Sequence, residues 1–148
     1  MDNVQHKKRI LFVCSGNACR SQMAEGWARR LAGEQVDVYS AGVEAHGVDP
    51  AAIAVMAEAG VDISNQRSKS LNVLPELPFD CVVTLSERAA LLFRNRSVPG
   101  HVVEVSCGSA SLRPNGCRPS LTHYRHLRDE IRDDVSRLLK RVRVRVAC

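Results

Sequence analysis

The sequence has no apolar run near the roughly 18 residues that a membrane-spanning helix needs. Its opening, Met-Asp-Asn-Val-Gln-His-Lys-Lys, lacks the apolar core of a signal peptide. A cytoplasmic protein with no membrane partner is expected. Aromatic residues make up only 4% of the chain, so Ala, Val and Leu must fill most of the core. The six cysteines include no Cys-x-x-Cys pair, which argues against zinc ligands. A reducing compartment argues against a disulfide framework, and redox chemistry accounts for them better. No internal repeat, low-complexity linker or nucleic-acid reading element is present. The net charge of +5 is a mild bias that suits a small anionic partner. The 148 residues fit one domain, 1–148, expected to be monomeric.

Cys14-Ser15-Gly16-Asn17-Ala18-Cys19-Arg20-Ser21 stands out among the rest. A β-branched and aromatic run, Arg9 to Val13, precedes it. A segment with Met23, Trp27, Ala28 and Leu31 at near-helical spacing follows, from Ser21 to Leu31. Between a strand and a helix, the small residues allow the backbone N–H groups of Ser15, Gly16, Asn17, Ala18, Cys19 and Arg20 to curl around a tetrahedral oxyanion. Cys14 at the rim sits in the same positive field, which favours its thiolate. Arg20 offers a planar fork for two oxygens of the anion. Ser21 can donate to the sulfur, and Asn17 tolerates a left-handed backbone that pins the loop. Thiolate, amide nest and arginine together describe nucleophilic attack on an oxyanion.

Along the chain, Val36 to Ser40 alternates as a second strand. Asp49-Pro50 reads as a helix cap, and the helix carries Ile53, Val55, Met56 and Ala59 to a stop at Gly60. Residues 63–70 read as a polar loop, with a short helix near Leu71 to Leu74. Phe79 to Leu85 is a nearly continuous apolar strand suited to the middle of a parallel sheet. Ser86 caps a helix over Glu87 to Phe93, Pro99-Gly100 turns, and His101 to Ser106 forms a fourth strand. Residues 107–119 are loop-like. Leu127, Ile131, Val135, Leu138, Leu139 and Val142 trace one face of a long closing helix. The fold class is α/β: a single three-layer domain with a four-stranded parallel sheet flanked by helices, its ligand site at the carboxyl ends of the strands.

Cys14 to Trp27 resembles the start of the arsenate reductases built on the low-molecular-weight tyrosine phosphatase fold. Tyr39 to Gly47, Asp62 to Gln66 and Val82 to Leu85 carry the likeness further. The resemblance implies that Cys14 attacks arsenate held by the loop and Arg20, forming a thiol-arsenate adduct that a second thiol reduces to arsenite. Phosphatase relatives use the same cysteine for a phosphocysteine intermediate and place aromatic side chains around the mouth. No aromatic occurs near residues 46–50 or 107–119, which favours a small inorganic anion.

Three departures from the family pattern shape the expectations. No acidic residue lies between Ser106 and Ser120, where relatives carry an Asp-Pro general acid; Asp49-Pro50, the chain's only such pair, reads as a cap. Ser86 and Phe93 stand at the two places where thioredoxin-coupled members have resolving cysteines. The candidate resolving thiols are then Cys107 and Cys117 in the long loop, and Cys19 inside the cradle, whose equivalent pairs with the nucleophile on oxidation in phosphatase relatives. The rival is a small external thiol. Finally, some members hold potassium through residues matching Asn17, Glu25 and Ser40 together with an aspartate. Lys69 stands at the aspartate's place: either its ammonium takes the cation's position and pairs with Glu25, or it is a solvated loop lysine, and no metal is expected.

The remaining residues have structural readings. His46 is a hydrogen-bonded loop residue, Trp27 and Cys81 are core, and His123 and His126 lie in solvent. Cys148 and the alternating Arg141 to Val146 form a tail. The function expected is arsenate reduction with no tightly bound cofactor, drawing on thioredoxin, a glutaredoxin-type protein, glutathione or mycothiol. Two alternatives remain: a phosphatase for phosphotyrosine or small esters, and an oxyanion or thiol sensor that kept the cradle and lost the acid.

Overall fold

The computed structural model describes residues 7–74, 78–94, 101–105 and 120–142. Four parallel strands form its sheet: β1 (Lys8–Cys14), β2 (Val36–Gly42), β3 (Cys81–Thr84) and β4 (His101–Glu104), in the order β2-β1-β3-β4. Between and after them run α1 (Arg20–Ala32), α2 (Pro50–Glu58), α3 (Glu87–Arg94) and α4 (Leu121–Arg141), with 3-10 turns at Gly33–Gln35 and Leu71–Val73. This is the α/β architecture expected from the sequence, with β1 and β3 in the middle.

Side chains of β1 alternate between the two faces of the sheet, as a period of two demands. Ile10, Phe12 and Cys14 join a large core with residues of α1, α2 and α4; Leu11 and Val13 join a smaller one with Ala89 and Phe93 of α3. Helices on both faces leave β1 and β3 covered twice, which explains their unbroken apolar runs. The closing helix buries Leu127, Ile131, Val135, Leu138 and Leu139 as its spacing predicts, and Trp27 is core. Gly60, at φ +80, supplies the left-handed stop after α2.

Several boundaries differ from the sequence expectation. The third strand starts at Cys81 rather than Phe79, because the Asp80 carboxylate accepts from the Arg9 amide at 2.8 Å while Phe79 turns edge-on to Tyr39. The fourth strand ends at Glu104, and α1 begins at Arg20. The short helix near Leu71 is a 3-10 turn over Leu71–Val73. The second helix adds a fully buried Ala52 to the expected face. His123, expected in solvent, is half-buried on α4, whereas His126 is exposed. The turn at Pro99-Gly100, the loop 107–119 with Cys107 and Cys117, Ser106, and the tail with Cys148 lie outside the described residues.

Cys81 faces the larger core, and burial, reinforced by the Asp80 carboxylate, pushes its thiol up to about 11 from an ordinary 9.0. Its neutral form is therefore favoured by folding. The resulting stability is fully present below the unfolded value and is lost as pH rises from 9.0 through about 11. Urea denaturation of wild type against Cys81→Ala across pH 8 to 11 should show a wild-type decline in that window that the variant lacks. In the native protein at pH 8, Cys81 should resist alkylation.

Candidate active site

β1 and β3 end side by side at the carboxyl edge of the sheet, and the loop from Cys14 to Arg20 leads from β1 into α1. Its carbonyls all find partners away from the loop's centre. Cys14, Ser15 and Gly16 accept from the amides of Val43, Glu44 and His46 at 3.0, 2.9 and 2.9 Å; Ala18 accepts from Asp49 at 2.8 Å and Cys19 from Met23 at 2.9 Å. The Asn17 carbonyl accepts from the Gln22 amide at 3.1 Å. In a trans peptide the N–H points opposite to the C=O. Carbonyls bonded to the flanking segments therefore leave the opposed N–H groups of Ser15 to Arg20 in the disposition that the expected amide nest requires.

Two close approaches tighten the nest. A Cβ on Gly42 would lie 2.2 Å from the Glu44 carbonyl oxygen and 2.6 Å from the Asn17 nitrogen, so only glycine lets the end of β2 touch the loop. A Cβ on Gly16 would lie 2.5 Å from Nδ1 of His46, whose ring covers that residue. Asn17 takes the left-handed conformation expected of it, at φ +48, and is fully buried.

The Asn17 side chain organises the polar floor. Its Oδ1 accepts from the Lys69 backbone amide at 2.8 Å, a donor of fixed sense, so Nδ2 must be the donating end. Nδ2 gives to Ser21 Oγ at 2.7 Å and to Ser40 Oγ at 3.1 Å. Ser21 Oγ also lies 2.9 Å from Cys14 Sγ, a contact in which either atom can donate and in which the hydroxyl can serve as the donor to a thiolate. Ser40 in turn donates to the buried Glu25 carboxylate. Gln22, fully buried, also braces Asn17 Oδ1 at 2.9 Å and is held by Gln66.

Of the two sequence readings of Lys69, the ion pair with Glu25 does not form. Arg29, one helical turn beyond Glu25, takes that carboxylate at 2.7 Å. The Lys69 ammonium donates to the Arg67 carbonyl at 2.9 Å, and burial lowers its pKa against the pull of Glu25. Lys69 supports the loop through its backbone instead, its carbonyl accepting from Gly42 at 2.9 Å. Arg20 opens α1, and its guanidinium donates to the Leu85 carbonyl at the end of β3 at 2.7 Å. Asp49 is a cap: its carboxylate accepts from the Ala51 amide at 2.9 Å and from the Tyr124 hydroxyl at 2.6 Å. Among the described residues no cluster of three or more His, Cys, Asp or Glu side chains is arranged for a metal.

Comparison with known proteins agrees with this geometry. The family described as low molecular weight phosphotyrosine protein phosphatase matches residues 9–147. The chain belongs to that family. Within this phosphatase family it is similar to an arsenate reductase of Bacillus cereus, 42% identical over 134 residues that cover 90% of this chain and 96% of the relative. Among solved structures it resembles an arsenate reductase in an oxidized state, 32% identical with a TM-score of 0.75, covering 91% of this chain and 98% of the other. An arsenate reductase in a phosphate-binding state is 30% identical with a TM-score of 0.69 and the same coverage.

Of the predicted site residues, hydrogen bonds join Cys14, Ser21, Asn17, Ser40 and Glu25 in one network, Lys69 enters it through its backbone amide, and Arg20 reaches the Leu85 carbonyl. The sequence reading missed Gln22, Gln66, Arg29, Gly42 and the Leu85 carbonyl. Gly42 at the end of a predicted strand beside the loop was the one available signal. Gly42→Ala should keep the fold but open the nest, so that the concentration of inorganic phosphate that half-protects Cys14 from iodoacetamide rises at least tenfold.

Proposed function

We propose that this protein reduces arsenate to arsenite with Cys14 as nucleophile. The observation that carries the reading is the Ser21 hydroxyl 2.9 Å from the Cys14 sulfur, at the start of a loop whose carbonyls are all bonded to its flanking segments. Similarity to arsenate reductases along nearly the whole chain supports the choice of substrate.

Arsenate occupies the nest, with its oxygens on the amides of Ser15 to Arg20 and on the Arg20 guanidinium. These donors are fixed before the anion arrives, so they stabilise developing charge with little reorganisation. The Cys14 thiolate attacks arsenic, an S–As bond forms, and one arsenate oxygen leaves as water. Asp49 does not supply the proton, since both its carboxylate oxygens are engaged, and solvent does. A second thiolate then attacks the Cys14 sulfur. The S–As electron pair passes to arsenic, which falls from As(V) to As(III) and leaves as arsenite, while the two sulfurs are oxidised to a disulfide. Cys107, Cys117 or Cys19 supplies that thiol, or a small external thiol does. An external reductant of the thioredoxin, glutaredoxin, glutathione or mycothiol class restores the enzyme.

A phosphate-ester reading draws on the family and on the same nest. It is disfavoured by the engagement of Asp49, the only Asp-Pro acid in the sequence. The test is arsenate-dependent thiol oxidation by wild type, Cys14→Ser, Cys107→Ser and Cys117→Ser, with thioredoxin and glutathione systems supplied separately and p-nitrophenyl phosphate as the ester control. Cys14→Ser should abolish turnover. Loss in Cys107→Ser or Cys117→Ser assigns the relay to that loop, and retention in both assigns it to Cys19 or an external thiol. Ester cleavage without arsenate reduction would overturn the reading. Ser21→Ala removes a hydrogen bond to a charged sulfur, worth about 1.5 to 3 kcal/mol, and should slow turnover about 10- to 100-fold.

A further inference from the structure

Beyond the nest lies a group of charged side chains that the reaction above does not use. The Glu44 carboxylate meets His46 Nε2 at 2.7 Å with one oxygen and the Arg88 guanidinium at 3.1 Å with the other. Its pKa is lowered, first by the hydrogen bond from His46 and then by Arg88, so it is an anion at neutral pH. All three side chains are about half exposed.

Their placement relative to the nest follows from the topology. Glu44 and His46 belong to the segment after β2, and Arg88 to α3 after β3; β1 lies between those strands. The backbone of Glu44 is bonded to Ser15 and that of His46 to Gly16, with the His46 ring against the Gly16 backbone. On the other side, Ser15 Oγ donates to Ser86 Oγ at 3.1 Å, and Ser86 accepts from the Ala89 amide inside α3. The Glu44–Arg88 bridge therefore joins the two walls across the first residues of the nest. No mechanical need of the fold explains it: both walls are already stitched to the loop through Ser15 and Gly16, and exposed ion pairs contribute little to stability.

We propose that the Glu44 strap, held at one end by His46 and at the other by Arg88, determines specificity by closing the nest's wall over Ser15 and Gly16 against the organic group of a phosphate ester while admitting a free tetrahedral oxyanion. The inference rests on the proposed oxyanion chemistry for its biological meaning, but the strap is tested by binding alone. A free oxyanion fits wholly within a ring of amides. An ester or phosphonate must project its substituent away from Cys14 and out past the walls, where the clamped side chains stand. The two anions carry similar charge, so removing a rim charge changes the affinity for both alike. The ratio of the two affinities isolates shape.

The experiment measures protection of Cys14 from iodoacetamide, read by mass spectrometry of its peptide, with inorganic phosphate and with phenylphosphonate as probes. Full-length wild type, Glu44→Gln and Arg88→Ala are compared. Wild type should favour phosphate. Each variant, breaking the strap from a different end, should shift the ratio toward phenylphosphonate by about tenfold, equivalent to about 1.4 kcal/mol, with melting temperatures within a few degrees of wild type. A ratio unchanged in either variant overturns the proposal, as does parallel loss of both ligands. Arsenate turnover assayed on the same samples separates the two readings: a shifted ratio without any arsenate reduction retains the strap and overturns the proposed function, whereas normal reduction with an unshifted ratio does the reverse.

Discussion

Consecutive peptide carbonyls from Cys14 to Cys19 are all bonded on the outer side of one loop, and the chemistry of the carboxyl edge depends on that constraint. An unpaired buried carbonyl costs about 1–3 kcal/mol, so each one needs a partner. The segment from Val43 to Asp49 supplies amides to Cys14, Ser15, Gly16 and Ala18, and Gln22 and Met23 supply the rest. Once the carbonyls are committed to those partners, the opposed amides face the other way, as the proposed nest requires. The nest is thus made by its surroundings more than by its own residues. Gly42 matters for the same reason: without a Cβ, β2 comes close enough to deliver that row of amides.

The second layer of constraint is directional. Most buried hydroxyl networks can run either way, because each hydroxyl both donates and accepts. Here the backbone amide of Lys69 is a donor that cannot reverse, and it sets Asn17, whose Nδ2 then gives to Ser21 and Ser40. The other branch through Ser40 ends on Glu25, whose charge is met by Arg29. Every member of the chain is satisfied, the condition under which a buried polar network rigidifies a site instead of destabilising it.

This layering explains what could be read in the sequence. The strand, the loop of small residues and the amphipathic helix lie next to one another in the chain, so Cys14, Arg20, Asn17 and Ser21 could be identified from local pattern. Ser40 and Glu25 came from the family likeness. Partners separated by long stretches of chain were not legible: Gln66 on Gln22, Tyr124 on Asp49 and Arg20 on the Leu85 carbonyl depend on packing that no local pattern records. The Lys69–Glu25 pair, one of two readings of that lysine, does not form because a rival on the same helix face as the carboxylate, Arg29, stands one turn away and takes it. Asp80 shortened β3 by using its side chain where the ladder would have used backbone.

The same nest can serve two chemistries, and the structure bears on which of them this chain is built for. A phosphatase must protonate an organic leaving oxygen, a task that calls for a carboxylic acid with an unengaged oxygen near the anion. Asp49 instead spends its carboxylate joining α2 to Tyr124 of α4, and its amide on Ala18. Reduction makes a different demand: after the adduct forms, a second sulfur must reach Cys14, which is only 3% exposed. A bulky protein surface does not enter such a site. The attacking thiol has to arrive on a slender group, a cysteine on a loop of this chain or a small molecule, and only the resulting disulfide can be passed outward to a larger reductant. The requirement has moved from an acid to access, and the charged strap over Ser15 and Gly16 lies where access is decided.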